Sequence, residues 1–418
     1  MTLHRHESIV FQFLIWPMIA AGISPSARAD WPQFGGPQRN FVVADKVDLA
    51  TIWTEKGPRE RWKRPLGDGY GAISAVDGRL FVMYRQDEQE HIAALSAATG
   101  DTLWDYSYPA PLLPNTDLDP GSGPHATPLV ANGRVYVVGV TGIFHCLGAV
   151  DGEFIWSHDL VHDQKGTVLF RGYSSSPVAY DGSVILPVGG PGRAVMAFDA
   201  DNGQVQWKCE DFATSHASPV LVTHQGRDHL VVFADRTFAG LDPANGELLW
   251  MKDHPVIGGH ICSMPVADED GHVVFSCAYG GGMWCLELPK SAEEPTITES
   301  WHNNKMRVHH SNILVHDGHV YASSGDFGPK IFTSVSCDTG EMNWQDRRLG
   351  RASVLLVGNT FLALEENGKL LIIVPSPNGL KILAEKQLFD ARAWSPPTLV
   401  GKTLFVRNRE AIMAFDLP

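Results

Sequence analysis

Beyond its first thirty residues the chain lacks any apolar run near the ~20 residues that a bilayer-spanning helix needs, so the remainder is not expected to cross a membrane. It also lacks a long Lys/Arg-rich run, and 47 Asp and Glu against 33 Lys and Arg leave a net charge of −14. A surface of that sign repels polyanions, which removes nucleic acid and anionic membrane from the expected partners. None of the six cysteines forms a C-x-x-C or an adjacent pair, which argues against a zinc ribbon or a thioredoxin-type redox site. Cys277 and Cys285 flank the turn AYGGGMW and could face each other across a hairpin as a disulfide, although small buried hydrophobes are the weightier reading.

What is present begins with a leader. Arg5 and His6 precede the apolar stretch IVFQFLIWPMIAAGI, and Ala27-Arg28-Ala29 forms an A-x-A-like cleavage site before Asp30. Residues 1–29 are therefore expected to be a signal peptide and the mature protein to be exported, to the periplasm or beyond. No cysteine stands at that site, so lipid attachment is not expected there. With 44% apolar residues in 418, the rest has carbon enough for a large core.

Self-similarity organises the chain. ALSAATGDTLW (94–104), CLGAVDGEFIW (146–156), AFDADNGQVQW (197–207), GLDPANGELLW (240–250) and SVSCDTGEMNW (334–344) align without gaps. Each carries a small turn residue and Gly, then three residues, then Trp. Trp301 fills the longer last interval, Trp62 in RWKRPLG lies one unit upstream of Trp104, and two further units follow Trp344, the first without its Trp. Within a unit, short apolar runs are separated by Asn-Gly, Asp-Gly and Thr-Gly turns, as in TPLVA, Asn132-Gly133, RVYVVG, then FHCLGAV, Asp151-Gly152, EFIWSH. Such spacing predicts antiparallel hairpins, and four strands per unit make one propeller blade. The reading is all-β: residues 61–418 as an eight-bladed β-propeller of four-stranded antiparallel blades. The last unit, ending at AFDLP, is one strand short, and the N-terminal Trp62 strand is expected to supply it and close the ring. Residues 30–60 form an N-terminal segment, with Trp31 and Phe34 expected to pack against the propeller flank.

These repeats resemble the A-x-D-x-x-T-G-x-x-x-W "tryptophan-docking" motif of quinoprotein, or PQQ-like, β-propellers, over essentially the whole chain after the leader. The resemblance implies that the tryptophans pack between neighbouring blades. Its catalytic branch implies pyrroloquinoline quinone (PQQ) with a calcium ion and an aspartate base, in an oxidoreductase acting on alcohols or sugars. Those enzymes carry an adjacent cysteine pair, which this chain lacks, and their glutamate-asparagine-aspartate calcium set matches no motif here. The resemblance is closer in character to the non-catalytic branch, exported propellers that bind or scaffold, among them the propeller component of the outer-membrane barrel-assembly machinery.

Topology then divides the loops between two faces. Asp-Gly and Thr-Gly turns fall on one, and the long, variable connections 109–125, 157–173 and 253–264 fall on the other, where binding in repeat arrays usually resides. Residues entering the innermost strands on that face line up radially: His125, Arg171, Tyr173, His216, His260, His309, His310, Arg351 and Trp394. Imidazoles, guanidiniums and an aromatic converging on one axis suit an anionic, planar or hydroxyl-rich small ligand. His125 in HATP and His216 in HASP are equivalent positions two blades apart. No H-x-H or H-x3-H spacing among these mouth histidines fixes a metal, and no catalytic residue is assigned. Asp326, Glu365 and Glu366 on the same face read as solvated loop charges. The expectation is a monomeric, exported binding or scaffold module for a small molecule or an envelope protein.

Overall fold

The structure is a computed structural model that describes residues 30–45, 47, 49, 57–112, 121–256, 260–291, 296–325 and 330–417. The leader and Asp326 lie outside the described residues. Among those described, every named element is a strand, and no helix is long and apolar enough to cross a membrane.

The strands form eight antiparallel sheets in chain order. Blade one comprises 74–76, 79–86, 89–96 and 102–109, and blade two comprises 129–131, 134–138, 143–148 and 154–159. Blades three to six begin at Val178, Val220, Val266 and Ile313. Blade seven comprises 352–357, 360–365, 369–376 and 379–387, with Val42–Val43 added in parallel against its innermost strand. Blade eight takes 398–400, 403–407 and 411–416 from the C-terminal end, and Arg59–Pro65 pairs antiparallel to Ala411–Asp416 as its outer strand. Pairing the two ends of the chain in one sheet spares the ring an open seam.

A bulge is built into the outer pair of every blade. In blade two the register shifts between Phe154 and Trp156, and in blade one Thr102 and Trp104 face Leu95 and Ala94 while Leu103 has no partner. In blades one and two the skipped residue turns outward, which is why Leu103 and Ile155 are exposed, and the added twist aims the tryptophan at the following blade. Trp62, Trp104, Trp156, Trp207 and Trp301 donate Nε1–H to the carbonyls of Ala97, Ala149, Ala200, Pro243 and Cys337, each in the next blade around the ring. A Cβ at Gly152 would fall 2.6 Å from the Trp104 ring, so the turn glycine supplies the seat as well as the positive φ. Trp250 departs from this pattern and bonds His229 Nδ1 of its own blade.

Hydroxyls of the strand entries join blades at the inner rim. Thr127 Oγ1 accepts from Ala72 N, Ser176 Oγ from Thr127 N, and Ser218 Oγ from Ser176 N, each at 2.9 Å. Thr398 Oγ1 donates to Ile73 O across the closure between blades eight and one. The threonine and serine of HATP and HASP are thus blade-to-blade clasps.

The N-terminal segment packs inside the channel, which corrects the expectation of a flank contact. Trp31 pairs with Ala75, Pro32 O accepts from Val130 N, and Phe41 O accepts from Leu356 N, all on innermost strands. Arg39, 2% exposed, reaches across to donate to Pro177 O at 3.1 Å and Ser176 O at 3.4 Å. Trp31 and Phe41 are buried there, 3% and 1% exposed, in one apolar cluster with residues of the innermost strands such as Ala75, Val354 and Leu356. The segment thus packs against the innermost strands of blades one, two and seven, beneath the mouth, or cup, on the long-loop face.

All six cysteines are free thiols. Cys285 faces Val274 and Cys277 faces Gly282 across the hairpin, so the two sulfurs belong to different apolar clusters and cannot meet as a disulfide.

Candidate functional site

The mouth on the long-loop face is walled by a chain of ring contacts that runs from His125 round to His216. His125 stacks on Tyr70 with 5.8 Å between centroids, and Tyr70 lies 5.2 Å from Trp394. Trp394 stacks on His310 at 4.5 Å, and His310 touches His309 at 4.0 Å. His309 meets Tyr279 edge-on at 5.2 Å, Tyr279 lies 5.0 Å from His260, and Phe170 packs against both His260 at 4.6 Å and His216 at 5.9 Å. Arg171 covers the Phe170 ring at 4.9 Å, while Arg392 and Arg351 lie 4.8 and 5.9 Å from the Trp394 ring. Every blade except the seventh places a ring or its strand-entry loop in the wall, and the seventh supplies Arg351.

Eight of the nine residues read from the sequence therefore meet at one place. Tyr173 does not. It is buried in the core between blades two and three, and its hydroxyl donates to Val188 O at 3.0 Å. The entry position is set by the strand proline, three residues on from His125 and His216. Counting back three from Pro177 gives Ser174, one residue past Tyr173, and a shift of one turns an extended residue to the opposite side. The same count from Pro397 gives Trp394, and from Pro265 gives Cys262. Cys262, Tyr70, Phe170 and Tyr279 were missed; the proline register would have found the first, and the Asp77-Gly78 turn, aligned on Asn132-Gly133, the second.

Three of the imidazoles, those of His125, His216 and His310, are held neutral. Burial, then the nearby Arg171, pushes His125 down to about 4, with Asp68 opposing. Burial and the neighbouring His125, His260, His309 and Arg171 push His216 down to about 3. Burial likewise holds His310 far below the ordinary range, helped by His309 and Arg351. Ser174 Oγ lies 2.7 Å from His216 Nδ1 and fixes that ring. His216 Nε2 and His125 Nε2 are buried without a protein hydrogen-bond partner. A buried polar atom left so costs about 1–3 kcal/mol, so a polar ligand atom or ordered water must meet each of them.

The carboxylates of the mouth are not solvated loop charges, contrary to the sequence reading of Glu365 and Glu366. Glu365 is 3% exposed and accepts from Gly350 N at 2.8 Å. Glu366 accepts from Arg351 and from Trp394 Nε1, each at 3.0 Å, and from Lys330. Burial alone would raise its pKa, but Lys330, Trp394 and Arg351 outweigh it and hold it ionised. Asp68 is engaged in the same way, by Arg409 at 2.6 Å and by the amides of Ser122 and Gly123. The loop charges fold back on their counter-ions because the rim is too crowded to hydrate them fully.

A quinone with calcium does not fit these residues. Calcium takes six to eight oxygen donors, whereas the described carboxylates of the mouth, Asp68, Glu365 and Glu366, are engaged by cations or backbone amides, and imidazoles and a thiol dominate the rest of the wall.

A family model described as outer membrane protein assembly factor BamB matches residues 15–119 and 90–346. The dehydrogenase subunit of the alcohol dehydrogenase (quinone) of Gluconacetobacter polyoxogenes is 31% identical over 146 residues, which are 33% of this chain and 19% of that protein. The quinohemoprotein alcohol dehydrogenase of Comamonas testosteroni is 25% identical over 195 residues, 43% of this chain and 25% of that one. The chain thus spans about a fifth to a quarter of the curated relatives it matches. Among solved structures, BamB from Moraxella catarrhalis superposes with a TM-score of 0.60 at 14% identity, over 86% of this chain and 99% of that one. A quinohemoprotein alcohol dehydrogenase from Pseudomonas putida HK5 superposes with a TM-score of 0.66 at 12% identity, over 93% and 80%. At these identities the likenesses show a shared propeller fold.

Proposed function

We propose a binding role on this premise: the chain belongs to the family whose model is described as outer membrane protein assembly factor BamB. In our reading it is an exported, monomeric propeller that takes a small anionic ligand with a planar face into the cup. The observation that carries this is the pair of buried, unpartnered nitrogens, His125 Nε2 and His216 Nε2, in a wall of rings. Among the described residues Arg171, Arg351, Arg392, Arg409 and Lys330 stand at that wall against Asp68, Glu365 and Glu366, so the cup is cationic on a chain of net charge −14. Rings bind flat π systems, guanidiniums bind carboxylates in pairs, and neutral imidazoles add donors without repelling the cations.

Scaffolding of a protein partner in the cell envelope is compatible with this reading and would use a different surface. Leu103, Val150, Phe154 and Ile155 are exposed on the outer strands and turns of blades one and two. The oxidoreductase reading draws on the quinone-dependent relatives, and the donor set of the mouth speaks against it.

Calorimetric titration with trimesate and isophthalate tests the binding reading, with pyrroloquinoline quinone plus calcium as a separate arm. Saturable binding of an aromatic carboxylate that is lost in Arg171→Gln supports it. Tight quinone binding with dye reduction on adding alcohols would replace it with the enzyme reading.

A further inference from the structure

Of the six cysteines, five sit in or against apolar clusters: Cys146, Cys209, Cys277, Cys285 and Cys337. Cys262 belongs to none of them. It occupies in blade five the position that His125 and His216 occupy in blades two and four, three residues before the strand proline. Its Sγ and one ring nitrogen each of His309 and His310 all lie within 4.8 Å of one another.

We propose that Cys262, His309 and His310 form a metal site in the wall of the cup, selective for a thiophilic ion of zinc type. One thiolate and two imidazoles are a borderline-soft donor set, matched to Zn2+ and unsuited to calcium or magnesium. With metal–ligand bonds of about 2.0–2.3 Å, tetrahedral donors stand about 3.4–3.6 Å apart, so side-chain rotations of about 1 Å close the site. The rings are braced for it: His310 lies flat on Trp394 at 4.5 Å, and His309 meets Tyr279 at 5.2 Å. Bracing of this kind is what orients ligands in metal sites. The neighbouring Arg351 is neutralised by Glu366 at 3.0 Å, which removes one cation from the ion's surroundings. On binding, the Cys262 S–H bond breaks, its proton leaves to solvent, and the sulfur forms the metal bond. The imidazoles donate lone pairs, and nothing is oxidised or reduced. Three protein donors leave the fourth position of the ion open to water or to an acidic group in the cup.

A second group, Asp268, Asp270 and His272, lies on the blade-five hairpin. Its Asp270 is exposed and Asp268 already bonds His272 at 2.9 Å, so it serves as the control.

The test uses the full chain, freed of metal by a chelator and titrated with Co2+ and then Zn2+. The expected result is one equivalent of cobalt with a thiolate-to-cobalt charge-transfer band in the near ultraviolet, displaced by zinc. Cys262→Ser should abolish the band and weaken zinc at least tenfold, and His310→Gln should weaken zinc while keeping the band. Asp270→Asn should change neither, and circular dichroism checks that each variant is folded. Absence of the band, its survival in Cys262→Ser, or loss of zinc in Asp270→Asn would overturn the proposal. Because the probe is the metal alone, its failure leaves the anion reading of the cup standing, and failure of the carboxylate titration leaves the metal site standing.

Discussion

His310 and Trp394 lie ring on ring, 4.5 Å between centroids and 8° between planes, and so tie blade six to blade eight over the Arg351 of blade seven. Trp394 also donates Nε1–H to Glu366 at 3.0 Å, which makes one indole the keystone of three blades at the rim. Trp394→Phe keeps the stack and loses the hydrogen bond, so unfolding in urea should be easier by about 1 kcal/mol with carboxylate affinity nearly unchanged. Trp394→Ala should weaken trimesate about tenfold. Equal affinity in the alanine variant would remove the stack from the site.

The tryptophans between blades carry stability rather than binding. Trp156 is 7% exposed, donates to Ala200 O at 3.3 Å and rests on the backbone of Gly203. Trp156→Ala should cost about 3–5 kcal/mol in denaturant unfolding, and carboxylate binding by the folded fraction should be unaffected.

The channel plug should be as costly to disturb. Trp31 is 3% exposed and pairs with the innermost strand of blade one through Ala75. Trp31→Ala should lose about 3–5 kcal/mol and expose the segment before Arg59 to limited proteolysis first. Unchanged stability would mean that the segment merely lines the channel.

Acid should destabilise the protein through its mouth. His125 and His216 titrate at about 4 and 3 in the folded chain against an ordinary 6.5, and His310 is shifted the same way. The unfolded chain therefore takes up protons first as pH falls below about 6.5, so the contribution is full above that value and is lost toward pH 4 and below. Asp68, held low because Arg409 and two amides outweigh its burial, adds loss in the same direction at lower pH. Replacing His125, His216 and His310 together by glutamine should flatten the fall in urea midpoint between pH 7 and 4.5, leaving the Asp68 part. Parallel profiles for the two proteins would contradict the buried, neutral state of these rings.

Blade count and strand order were legible because a Gly four residues before each recurring Trp repeats at blade spacing, and turn chemistry is local. The radial histidines were legible for the same reason, since equivalent positions of a ring must face one axis. Tyr173 was misplaced because the blade-three entry RGYSSSP carries no histidine to mark the inward position, whereas the proline fixes the register and period-two alternation does the rest. Phe170 and Tyr279 lie on loops of unequal length, where no repeat register reaches. The plug was seen only as a packing segment because its site depends on the width of a channel that exists only once the ring closes. The failed pairing of Cys277 and Cys285 has a similar origin: a hairpin brings two residues near, but its register decides which are opposite.

The central claim is that the cup takes a small planar anion between its rings and guanidiniums. Calorimetric titration of trimesate into the wild-type chain and Arg171→Gln, at fixed ionic strength, tests it most directly. The account predicts one saturable site in the wild type, weakened at least tenfold by the substitution while the melting temperature stays the same. No saturable binding in the wild type, or equal affinity in both proteins, would contradict it.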